Sequence, residues 1–244
     1  MELSEYYPDP KDLIASELKI LNYLRNDPFI TEKHSQFAQD AGIYYGRYRQ
    51  DDSRFEFFSY FDIAHVAMHA QKGMRKSQRN LKPNLRLMLA AFIGLKNGSY
   101  SNVTYCLSVC RLQSLKILRK FHFDVTVSDD TSSPRFQQHP QCHLQYCGKM
   151  LPQMIKMGCQ PTQLERLYPW LSEPRILFGP MSLALLIDMA LHEFPDDRSK
   201  KFRASSEWQN LVRSQEMLVL QPFYKKCVDV ISKNRTLADE FYVD

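Results

Sequence analysis

Residues 84–127 read NLRLMLAAFIGLKNGSYSNVTYCLSVCRLQSLKILRKFHFDVTV, and the fold class turns on how this stretch is divided. Pro83 stands just before it, where a missing N–H is harmless in the first turn of a helix. The run from Asn84 to Lys96 then reads as an apolar helix that stops at Asn97 and Gly98, residues that tolerate the left-handed backbone of a helix end. Ser99 or Ser101 opens a second helix, in which Val103, Leu107, Cys110, Ser114 and Ile117 trace one stripe. Arg111, Lys116, Arg119 and Lys120 decorate its other side and last turn, where cations suit the helix dipole. At Phe121 the period changes to two. Phe121, Phe123, Val125 and Val127 alternate with His122, Asp124 and Thr126, as in a half-buried strand. A polar loop follows, and CHLQYCG at 142–148 supplies a second short strand, so the pair reads as a β-hairpin.

Outward from this stretch, helical periodicity dominates. Asp9 and Pro10 start a helix with Leu13, Leu18, Leu21 and Leu24 on its apolar face. A second helix is expected over residues 31–50, and Ser53 caps a third over 53–80, aromatic in front and basic behind. Four prolines make 149–175 irregular with short helices, whereas GPMSLALLIDMALHEF at 179–194 is apolar nearly all round and reads as a central buried helix. A long helix beginning at Ser205 or Ser206 is expected to kink at Pro222. The expected fold is α+β but mainly α-helical: a compact helical domain with one small β-hairpin near residues 121–148. One domain spans 1–244, with a helical 1–120 and a hairpin-plus-helix 121–244 as the alternative division.

Composition sets the class. The 244 residues are 44% hydrophobic and 24% charged, which suits a globular chain and excludes a disordered one. The acidic, polar start MELSEYYPDPKDL lacks the basic region and apolar core of a signal peptide, and no apolar run reaches the roughly 18 to 20 residues of a membrane span. The expectation is an intracellular, cytoplasmic protein without a membrane partner, whose six cysteines are reduced. Glycine-rich phosphate loops, a GxSxG elbow and kinase signatures are missing.

Charge is distributed unevenly. Between Asp62 and Asp124 no acidic residue occurs, and the window from Ile63 to Phe123 carries eleven Lys and Arg residues. The formal charge of +5 therefore divides into +11 in this window and −6 elsewhere. Lys72, Arg75, Lys76, Arg79 and Lys82 fall at near-helical spacing and make a stripe able to follow a phosphate backbone, with Arg111, Lys116, Arg119 and Lys120 extending it.

Two clusters could carry chemistry. Asp62, His65 and His69 share one face if 53–80 is helical, a set that Zn²⁺ accepts. In the hairpin, His139, His143 and Cys147 are a second metal candidate, and their residue types suit Zn²⁺. Asp124 could instead hold Mg²⁺ there for phosphodiester cleavage, with His139 or His143 as general acid or base. The spacing matches no standard zinc knuckle, and Cys142 and His143 face opposite sides of a strand. The leading expectation is a nucleic-acid-binding protein using residues 72–120. The alternatives are an accessory subunit that docks on a protein partner, and a metal-dependent nuclease or hydrolase centred on 122–147.

Overall fold

The computed structural model describes residues 3–26, 46–49, 54–63, 84–125, 139–146, 155, 158, 175–195 and 197–243. Its centre is an antiparallel sheet of seven strands rather than a helical bundle. The strands are β1 (Gly46–Arg49), β2 (Arg54–Ile63), β3 (Leu85–Lys96), β4 (Ser99–Arg111), β5 (Ile117–Val125), β7 (Cys142–Tyr146) and β8 (Arg175–Leu177), neighbours in that order. A separate two-stranded ribbon pairs β6 (His139–Pro140) with β9 (Tyr242–Val243).

The mainly helical expectation is thus overturned, and the stretch 84–127 shows why. Both faces of β3 and β4 are buried along most of their length, so their sequences lack the strict alternation of a half-buried strand. Leu85, Leu87, Leu89, Ala91 and Ile93 point to one face while Met88 and Ala90 point to the other. Asn97 and Gly98, at φ of 54° and 79°, form the two-residue turn that joins β3 to β4. The expected helices over 31–50 and 53–80 are likewise strands where they are described, across Gly46–Arg49 and Arg54–Ile63. The pair expected at 121–148 is present as β5 and β7, but as two strands of seven.

Helices cover one face. A short 3-10 turn, Leu3–Glu5, leads into α1 (Pro10–Asn26); after the sheet come α2 (Leu183–Glu193), α3 (Asp197–Arg203) and α4 (Ser206–Gln215). A π-helical turn, Glu216–Leu220, joins α4 to α5 (Gln221–Ser232), and α6 (Leu237–Phe241) closes the set. The π turn stands where a kink at Pro222 is expected, because Pro222 has no N–H to donate and its ring crowds the carbonyl one turn back.

The central buried helix is α2, with Leu183, Ala184, Leu186, Ile187, Ala190 and Leu191 all enclosed and Ser182 capping it. Glu17 of α1 ties the layers together. It accepts from the Tyr105 hydroxyl of β4 at 2.6 Å and from the Leu183 N–H of α2 at 3.0 Å. Trp208 of α4 is enclosed against Phe202 and Tyr23, and its indole N–H donates to Asp188 at 3.0 Å. No helix among the described residues is long and apolar enough to cross a membrane.

Candidate functional site

The second face of the sheet gathers polar side chains around a smaller apolar cluster of Phe58, Tyr60, Met88, Ala90, Cys106, Cys110 and Ile117. Lys120 and His122 of β5 stand opposite Ser108 and Cys106 of β4. All four are buried, Lys120 and Ser108 completely. The Cys106 thiol lies 3.7 Å from His122 Nε2, a pairing that suits a nucleophile. Burial, however, pushes the Cys106 thiol up to about 12, against the pull of the Ser108 hydrogen bond and the Lys120 charge. It is a neutral thiol packed in a sheet.

Asp124 stands opposite His143 across β5 and β7, as the hairpin reading requires, with His143 Nε2 3.8 Å from Asp124 Oδ2. His143 Nδ1 lies 2.8 Å from the Pro140 carbonyl oxygen and donates to it, which turns Nε2 toward Asp124. His143 is buried, whereas the Asp124 side chain keeps 21% of its surface. His139 belongs by its backbone to the β6–β9 ribbon, and Cys147 lies outside the described residues. Asp62 stands at the end of β2, bound by Arg86 through two hydrogen bonds of 2.8 and 3.1 Å, while His65 and His69 lie outside the described residues. A strand at Asp62 removes the helical face on which that trio depends. Among the described residues no group of three or more His, Cys, Asp or Glu converges on a metal position.

The cations divide sharply. Lys120 is wholly enclosed and leaves the expected binding surface. Arg86 is occupied by Asp62 and lies 4.1 Å over the Tyr60 ring. Lys96 is exposed, but at the far end of the sheet from Arg111, roughly 40 Å along β4 at about 3.4 Å per residue. Arg111 and Lys116, both exposed, flank the turn from β4 to β5, and Arg119 is exposed further along β5.

That turn shares its end of the sheet with the β2–β3 connection. Asn84 N–H donates to the Ile63 carbonyl at 3.0 Å, and Leu112 N–H donates to the Asn84 carbonyl at 3.1 Å. The connection leaves the sheet at Ile63 and returns at Asn84, and its sequence contains Lys72, Arg75, Lys76, Arg79 and Lys82, which lie outside the described residues. Helix α3 reaches the same end, where Arg198 donates to the Asp62 carbonyl at 2.9 Å, and it exposes Lys200 and Lys201. These three cations are additions to the sequence-derived set. Their local run, DRSKKFR, is visible in the chain, but only the fold brings it beside Asp62.

No family model, curated protein or solved structure matches the chain.

Proposed function

We propose that the chain binds nucleic acid at the end of the sheet where β2 finishes, β3 begins and β4 turns into β5. One observation supports this reading above others. Exposed Arg111 and Lys116 from the sheet, and Arg198 with Lys200 and Lys201 from α3, stand around the anchor points of a connection that carries five further cations and no carboxylate. Such a grouping attracts phosphates by releasing their condensed counterions and needs no pocket.

The ligand is bound through its backbone. Lysine and arginine at strand ends and on a short helix supply point charges and guanidinium forks, which hold phosphates in any sequence context. Asp62 neutralises Arg86 and its carbonyl holds Arg198, so this carboxylate strand end orients the cations without cancelling the outer ones.

A mobility-shift titration tests the reading, with a fluorescent DNA duplex and a single-stranded RNA measured across a salt series. Binding is expected at low salt, and log affinity is expected to fall linearly with log salt. Charge reversal by Arg111→Glu with Lys116→Glu should lower the salt slope by about one per lost phosphate contact and weaken both ligands alike. Absence of a shift at low salt, or a reversed-charge protein that binds as well as the parent, refutes the assignment.

A further inference from the structure

The turn from β4 to β5 holds a serine among the cations at this end of the sheet. It reads Arg111-Leu112-Gln113-Ser114-Leu115-Lys116, and its two ends are joined by the Arg111 N–H, which donates to the Lys116 carbonyl at 3.0 Å. Ser114 is exposed, and its Oγ accepts from the Lys116 N–H at 3.4 Å. Arg111 and Lys116 are exposed as well, and among the described residues neither side chain is held in an ion pair. A group added to Ser114 Oγ therefore enters between two uncommitted cations.

The spacing also suits an enzyme that would add such a group. Ser114 and Ser206 are the two hydroxyl residues of the chain that follow an arginine by three positions. Protein kinases that select basic sequences read this spacing, since an acidic pocket takes the arginine while the hydroxyl reaches the transferred phosphoryl group. The fold separates the two serines. Arg203, ahead of Ser206, donates to Asp188 at 2.8 and 3.0 Å, and Ser206 is the first residue of α4. Arg111 has no such hold, and Ser114 lies in a turn. To enter a kinase the turn must open, and two features favour this. Residues 112–116 include no fully buried side chain, and Leu115 has φ of 50°, a left-handed conformation that strains a residue with a side chain.

We propose that Ser114 is phosphorylated by a protein kinase of this basic selectivity, and that the phosphate switches off the nucleic-acid surface. The second part rests on the binding function proposed above. In the reaction, Ser114 Oγ bonds to the γ-phosphorus of ATP as the bridging bond to ADP breaks, and the hydroxyl proton passes to a carboxylate of the kinase. The product carries about −1.5 to −2 charges at neutral pH. Its oxygens take charge-assisted hydrogen bonds from Arg111 and Lys116, which cancels about two of the exposed charges at this end. Two contacts to a nucleic-acid backbone are thereby replaced by internal ones. Their loss lowers the log-salt slope by about two and the affinity roughly 50-fold at 0.1 M salt.

The test incubates the folded full chain with ATP and a purified kinase that selects Arg three residues before its serine, then maps phosphate by peptide mass spectrometry. Phosphate is expected on Ser114 of the parent, with labelling lost at that peptide in Ser114→Ala. Mobility shifts with the same DNA duplex and RNA strand should then show the weakening in the treated parent alone, with Ser114→Ala binding as before and far-ultraviolet circular dichroism unchanged in both. A folded parent without phosphate at Ser114 overturns the modification, whatever the chain binds. A phosphorylated parent that binds as tightly as the untreated one, or an equal loss in treated Ser114→Ala, overturns the switch alone. A chain that accepts phosphate at Ser114 but binds neither ligand before treatment refutes nucleic-acid binding, and the switch falls with it.

Discussion

Glu17 has no solvent contact, yet among the described residues its carboxylate meets no cation at hydrogen-bonding distance. Burial raises its carboxyl to about 7 from an ordinary 4.5, against the lowering effect of the Tyr105 hydroxyl and the Leu183 N–H. The sign of the consequence follows from linkage. Below pH 4.5 Glu17 is protonated in both folded and unfolded chains and contributes no pH dependence. As pH rises from 4.5 toward 7 the unfolded chain ionises first, so stability is lost across this window, and the loss is complete above it. The whole effect is roughly 3 kcal/mol. Glu17→Gln keeps a carbonyl acceptor and cannot ionise. Denaturant unfolding at pH 5 and pH 8.5 should show the parent losing stability relative to the variant as pH rises; parallel pH profiles would refute the assignment. Nothing in the chain marks Glu17 beforehand, since a lone Glu in an amphipathic helix reads as surface until its neighbours across the fold are known.

At the scale of elements, α1, α2 and the α4–α5 helix were legible, whereas the short helices α3 and α6 and the central strands were not. Asp9, Pro10 and the apolar spacing of α1 are local signals, and local packing obeys them. The same holds for α2, which is enclosed all round, and for the π turn before Pro222. Strands β3 and β4 fail this test because burial on two faces erases the period of two, leaving runs such as LMLAAFI that suit either structure. Chance spacing at Val103, Leu107 and Cys110 then favoured a helix, and the Asn97-Gly98 pair served equally as a helix stop or a hairpin turn. The β5–β7 pair was legible because Phe121 to Val127 alternates openly, and with it came the approach of Asp124 to His143. The turn assignment has its own test. Gly98 has φ of 79° and open space where a Cβ would stand, so Gly98→Ala adds no clash and changes only backbone preference. It should lower unfolding free energy by about 1 kcal/mol. A neutral or stabilising result in denaturant melts would mean that the turn does not hold this conformation in solution.

At the scale of the whole molecule, the carboxylate-free window was visible in the sequence, but its division into one buried lysine, one occupied arginine and an exposed cluster at one end of the sheet was not. Periodicity cannot supply that division, because it depends on which strand ends the topology brings together and on α3 arriving from far along the chain. The same long-range closure governs stability. The first residues of the described chain pack against the last: Tyr6 is fully enclosed, its ring 5.2 Å from Phe241 and 6.1 Å from Phe223, and its hydroxyl donates to the Gln141 side chain. Gln215 reaches Ser16, and Lys226 binds Glu5 at 2.6 Å. Both chain ends are therefore part of one core and not appendages to a sheet that folds without them. Tyr6→Ala and Phe241→Ala should each cost about 3 kcal/mol or more, as deletion of an enclosed aromatic ring does. Because either deletion leaves the other ring facing the same cavity, the double variant should cost less than the sum, with a coupling of about 1 kcal/mol in a denaturant double-mutant cycle. Strict additivity would show that the two ends are stabilised separately and would place the closing contact elsewhere.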